Sequence, residues 1–202
     1  MRPYPSWELE ETLFGRSVVG VDEVGRGAVA GPLVVCALRF NNFPEVTWRD
    51  SKQMSPLQRR SVFSNIVENS HFGIGLAAPW DIDRLGINFC LRKAAEEALG
   101  QVPLEDAMVV FDGKKPLTTK VPAYQCMIKG DTLLPSVAAA SVVAKVIRDE
   151  IMVCLDSVLP GYGFSAHKGY GTPKHFEAIE CLGVTAQHRR SFLRKVLEQA
   201  LF

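Results

Sequence analysis

Two kinds of hydrophobic pattern alternate along the chain. Short apolar runs without helical spacing predict buried strands over 18–21, 33–38, 72–77, 107–111 and 123–128. Between them lie longer stretches whose apolar residues recur three and four apart. Ser55-Pro56 reads as an N-cap with proline in the first turn, opening a helix that runs to 69. A second helix spans 87–99 and stops at Gly100. A long helix spans 136–159 and is closed by Pro160-Gly161. A glycine-rich loop over 161–172 and two short helices over 173–181 and 191–201 complete the chain. The first two strands, joined through a turn-rich 22–27 segment, form a hairpin-like pair. This order predicts an α/β layer, a mixed sheet with helices packed against it. Pro160-Gly161 divides the chain into a body over 1–160 and a small helical extension over 161–202.

Composition narrows the class. At 202 residues, 47% hydrophobic and 22% charged, the chain can bury a core without disulfides or metal staples. The longest apolar stretches, 28–38 and 137–144, fall well short of the ~20 residues that span a bilayer. No apolar signal core follows Met1-Arg2-Pro3. Five cysteines, odd in number and without a CxxC pair, read as reduced thiols of a cytoplasmic protein. A net charge of +1 hides an uneven distribution: between Ala166 and Lys195, six basic residues (Lys168, Lys174, Arg189, Arg190, Arg194, Lys195) face only Glu177 and Glu180. That basic end suits a polyanionic partner, or a solvated helix face.

Four acids carry the candidate chemistry. Asp22 and Glu23 follow an apolar strand, Asp112 ends the strand before it, and Asp131 lies between a strand and a helix. Ligands of α/β sheets gather at the carboxyl ends of strands, so these acids suggest one shared site. A donor set of oxygens alone favours Mg²⁺ or Mn²⁺ over Zn²⁺. Clustered carboxylates holding two ions ~3.5–4 Å apart suit phosphodiester hydrolysis. Taken singly, each acid also reads as a turn cap.

Gly20-Val21-Asp22-Glu23-Val24-Gly25-Arg26-Gly27 resembles the signature of the type 2 ribonucleases H, specifically the ribonuclease HII family. Further blocks fit in family order: Asp50-Ser51-Lys52, Phe111-Asp112-Gly113, Lys129-Gly130-Asp131 with the 136–149 block, His167-Lys168-Gly169-Tyr170-Gly171-Thr172, and His188-Arg189-Arg190-Ser191-Phe192. The related ribonucleases HIII carry an extra N-terminal domain and a glutamate as fourth acid; Asp131 and about 17 residues before the first strand fit HII better. The resemblance implies an RNase H-like fold with a helical C-terminal extension. It implies catalytic, metal-binding carboxylates at Asp22, Glu23, Asp112 and Asp131, holding two Mg²⁺ or Mn²⁺ ions. It implies cleavage of RNA in RNA–DNA hybrids and at single ribonucleotides in duplex DNA, the chemistry of ribonucleotide excision repair; a monomer is expected, though the sequence leaves the oligomeric state open. Gly25-Arg26-Gly27 is expected to contact the ribose 2′-OH, and Tyr170 to sense the RNA–DNA junction. Departures are Ala28, where the family commonly has proline, and Gln53-Met54, where it has Lys-Leu.

Several readings stay open beside it. Lys52, Arg189 and Arg190 are expected to clamp phosphates. Lys145 and Asp149 are spaced for an intrahelical pair, with Arg148 a support for the site. Ser141 faces either substrate or another helix. The terminal Gln199-Ala200-Leu201-Phe202 faintly resembles a sliding-clamp peptide, although the same residues continue an apolar helical stripe. A phosphohydrolase of small esters would leave the basic end idle. A silent hybrid-binding module would not need four carboxylates.

Overall fold

The protein is described by a computed structural model over residues 5–41 and 55–193. Five strands form one mixed sheet in the order β3-β2-β1-β4-β5. They are β1 (Ser17–Val24), β2 (Leu33–Phe40), β3 (Ser70–Ala77), β4 (Ala107–Asp112) and β5 (Tyr124–Met127). β1 pairs antiparallel with β2 and parallel with β4. The hairpin-like pair is therefore present, but β1 is longer than expected. Asp22 and Glu23 lie within it, opposite Cys36 and Val35, because cross-strand pairing holds them extended where local composition reads as a turn.

Helices cover both faces. On one, α4 (Ile87–Leu99) packs Ala94, Ala95 and Ala98 against Val19, Val21, Val35 and Phe111. On the other, α6 (Pro135–Val158) packs Ala138, Ala139, Val142 and Val143 against Val34, Cys36 and Leu38. Small residues let α6 lie close: a Cβ on Gly20 would sit 2.3 Å from the Ser136 carbonyl. α2 (Pro56–Glu68) opens with the expected cap, Ser55 and Gln58 forming a reciprocal capping box.

Four short helices were not legible in the pattern: α1 (Trp7–Phe14), α3 (Pro79–Leu85), α5 (Gly130–Leu133) and α7 (Phe164–His167). α1 is capped locally, by Ser6 accepting from Leu9 N–H and by Gly15 with φ of 57°, and it also serves α6. The buried Glu10 carboxylate accepts from Ser136 N–H and Oγ, at 3.1 and 2.6 Å, and so caps a helix whose own N-cap, Leu134, makes no side-chain bond. Burial raises the Glu10 pKa despite those bonds.

After α6 come α7, α8 (Pro173–Leu182) and a 3₁₀ turn at Arg190–Phe192. Ser191 does not open an α-helix within the described residues; its N–H and Oγ bond Asp83 instead. The remainder of the expected 191–201 helix and the Gln199–Phe202 peptide lie outside the described residues. One apolar cluster joins Tyr162, Phe164, Ile179 and Leu193 to Met152 of α6 and to Val29 and Ala30. All five cysteines are free. No helix among the described residues is long and apolar enough to cross a membrane.

Candidate active site

Strand alternation sorts the acids. Even positions of β1 face α6 and odd positions face α4. Asp22 therefore points toward α6, where Ser141 bonds its carboxylate. The parallel register places Phe111 beside Val21, which brings Asp112 beside Asp22 on the same face. Asp131 enters from the first turn of α5, after Lys129 turns the chain with φ of 60°. Gly130 N–H donates to Asp112 Oδ1 at 2.8 Å and ties that loop to the end of β4.

Asp22, Asp112 and Asp131 thus converge, each offering an oxygen within 4.8 Å of the others. Asp22 is buried at 6% exposure. Burial first, then the charges of Asp112 and Glu23, push its pKa from 3.8 up to about 7, against the opposing bonds from Ser141 and Glu23 N–H. Crowded carboxylates in a poorly solvated place fit a hard divalent cation, which would relieve the repulsion. Glu23, one residue on, faces the other side. It lines a groove of about 480 Å³ with Asp112, Arg26, Asn88, Lys114 and Lys115, and pairs with Arg26 at 3.4 Å. Lys114 and Lys115 are exposed. Their position directly after Asp112-Gly113 was the sequence signal for them.

The 25–27 loop is held from behind. Gly25 has φ of +85°, and a Cβ there would lie 2.1 Å from Arg148 Nε. Arg189, expected on the surface as a phosphate clamp, is fully buried. It donates to the carbonyls of Gly25 (2.7 Å), Arg26 (3.3 Å) and Gly31 (2.8 and 3.1 Å). Its guanidinium is spent on the loop and cannot grip a duplex. Burial, then neighbouring Arg148, bring its pKa down to about 10. These bonds engage the Gly25 and Arg26 carbonyls with the buried guanidinium. Ala28 N–H closes the loop onto Gly25 O at 3.3 Å, a bond proline could not make. Gly27 and Arg26 remain exposed.

Arg148 does not touch the acids. It binds the carbonyls of Ala30, Pro32 and Lys168 and lies under the Tyr170 ring, 5.3 Å from its centroid. Gly169 O in turn accepts from the N–H groups of Val29 and Ala30, so the loop carrying Tyr170 is bonded to the loop after Gly27. Asp149 is paired with Lys145 at 2.5 Å, as the helical spacing predicts, and also with Arg59 of α2 at 3.6 Å, and stays outside the acid cluster. Arg190 is exposed; Lys52 lies outside the described residues.

A family model described as Ribonuclease HII matches residues 19–195. Among curated relatives, a ribonuclease HII of Thermus thermophilus is 45% identical over 181 residues, covering 88% of this chain and 87% of its own. One of Pseudothermotoga lettingae is 44% identical over 179 residues, covering 89% and 78%. Among solved structures, ribonuclease H2 of Pyrococcus horikoshii superposes with a TM-score of 0.76 at 26% identity, over 92% of this chain and 99% of that one. The sheet and its flanking helices are thus an RNase H-like fold.

Proposed function

The chain belongs to the ribonuclease HII family, and on that premise we propose that it is a divalent-metal-dependent endoribonuclease. It cuts the RNA strand of RNA–DNA hybrids and incises duplex DNA on the 5′ side of a single embedded ribonucleotide. The convergence of Asp22 of β1, Asp112 at the end of β4 and Asp131 in the first turn of α5 is the observation that carries this reading. Those three acids, and Glu23 through the groove it lines together with Asp112, are assigned as the ligands of two Mg²⁺ or Mn²⁺ ions. Bound there, such ions supply Lewis-acid activation of water and stabilisation of the leaving oxygen.

The remaining roles fall to the chain itself. Ser141 orients Asp22, and Gly130 N–H orients Asp112. Exposed Lys114, Lys115 and Arg190, together with Lys52, neutralise phosphates without reading sequence. With two carbonyls of the 25–27 loop turned to Arg189, that loop meets the ribose 2′-OH through its outward backbone. Tyr170 stacks on the following deoxyribose, which has no 2′-OH to obstruct the ring. The protein acts in ribonucleotide removal as a cytoplasmic monomer.

The test is a labelled DNA duplex with one ribonucleotide, mapped at nucleotide resolution. Hydrolysis by water gives a cut 5′ of the ribonucleotide with 3′-hydroxyl and 5′-phosphate ends. Activity confined to long RNA tracts, or a 2′,3′-cyclic phosphate product, contradicts the proposal.

A further inference from the structure

Tyr170 is held by groups that lie outside the acid cluster. Three of the chain's four histidines gather behind it. His175 and His188 are buried, at 0% and 2% exposure, and His167 is half-buried. His167 stacks on His175 with ring centroids 4.2 Å apart, and Phe164 meets the His175 ring edge-on at 5.4 Å. Burial lowers the pKa of both His175 and His188, the latter to about 4, so both rings are neutral near pH 7.

Neutral rings fix the protons, because each partner has only one role available. Thr185 N–H donates to His188 Nδ1 at 3.0 Å, so the His188 proton sits on Nε2. His188 Nε2 lies 3.2 Å from His175 Nε2, which must therefore accept. The His175 proton is left on Nδ1, 2.9 Å from the Tyr170 carbonyl, which can only accept. The assignment closes from both ends. His167 is fixed the same way: Gly169 N–H donates to its Nδ1 and its Nε2 faces Tyr162 O. The result is a directed chain running from Thr185 through His188 and His175 to the backbone of Tyr170.

The other backbone bonds of Tyr170 are local: its N–H donates to His167 O at 3.0 Å. Tyr170 O also accepts from Thr172 N–H at 2.8 Å, a contact within its own turn, while Gly169 is pinned to Val29 and Ala30. His175 ties the turn to α8, whose cap Thr172 bonds His175 N–H at 3.3 Å. The phenol ring meanwhile rests over Arg148.

We propose that His175, oriented by His188, is a positioning residue that sets the pose of Tyr170 and with it the enzyme's preference for a single ribonucleotide over a run of RNA. The inference rests on the reading of Tyr170 given above. Its effect is on selectivity, because the chain of bonds ends on the tyrosine backbone and not on any carboxylate.

The experiment compares kcat/KM on a duplex with one ribonucleotide and a duplex with four, for wild type, Tyr170→Ala, His175→Leu and His175→Asn. Asparagine places an amide N–H about where Nδ1 stands. His175→Leu should lower the single-to-run ratio about tenfold, the effect of one lost hydrogen bond to a half-buried carbonyl. His175→Asn should restore most of it. A role in folding alone would scale both substrates equally and leave the ratio unchanged, which overturns the inference. If Tyr170→Ala shifts the ratio and His175→Leu does not, the positioning role fails and the reading of Tyr170 survives. If Tyr170→Ala leaves the ratio unchanged, both fail. Should His175→Leu not fold, ¹⁵N spectra of the wild-type rings decide. Protonation of His175 at Nδ1 with His188 at Nε2 supports the chain; His175 protonated at Nε2 overturns it.

Discussion

Asp22→Asn should stabilise the metal-free protein while destroying its activity. In the fold the Asp22 carboxyl is driven from 3.8 to about 7, so ionising it opposes folding. A raised acid of this kind contributes nothing adverse below its unfolded pKa. Its cost grows as pH rises from 3.8 and is complete above about 7. Three pH units at about 1.4 kcal/mol each give a cost of about 4 kcal/mol at pH 8.5. Asparagine removes the charge and keeps one oxygen for Glu23 N–H, now 2.8 Å from Oδ1. It surrenders one acceptor, worth about 1 kcal/mol. The variant should then be about 3 kcal/mol more stable than wild type in EDTA at pH 8.5, or about 6–12 °C in Tm for a chain of this size. At pH 5 the gap should shrink, and Mg²⁺ should close it at pH 8.5 by stabilising wild type alone. Denaturant unfolding under these conditions is the assay. A variant less stable than wild type in EDTA at pH 8.5, or a gap independent of pH, refutes the reasoning.

Arg189→Met should cost about 2–4 kcal/mol in denaturant unfolding, because it strips both guanidinium bonds from the buried Gly31 carbonyl and releases those of Gly25 and Arg26; a loss under 1 kcal/mol would mean those bonds carry little. Charge reversal at Lys114 and Lys115 should weaken hybrid binding equally for all sequences and flatten the salt slope by about one unit per lost phosphate contact, read from Kd across a salt series; an unchanged slope would leave the pair outside the duplex path.

What could be read without coordinates follows the range of the forces involved. The strand pair β1–β2 and the ends of α4 and α6 were legible because apolar runs, Gly100 and Pro160 are local signals. The acids were legible as strand-end carboxylates, although β1 extends through them. The helix α1 was not, although Ser6 and Gly15 cap it locally: eight residues are too short a window for apolar periodicity, and its contact from Glu10 to Ser136 spans 126 positions. The separation of Glu23 from the Asp22 cluster follows from alternation, and became visible only once both residues were known to lie inside the strand. Arg189 was misplaced for a similar reason. Within a run of basic residues it looks like surface charge, while its carbonyl partners lie 158 to 164 positions earlier in the chain.

The most direct measurement is turnover of a labelled RNA–DNA hybrid by wild type and Asp112→Asn, in Mg²⁺ and in EDTA. If the convergent carboxylates hold the metal, EDTA abolishes wild-type cleavage and Asp112→Asn loses at least about 10³-fold in Mg²⁺ with its circular dichroism spectrum unchanged. Undiminished cutting in EDTA, or near wild-type turnover by a folded Asp112→Asn, contradicts the account.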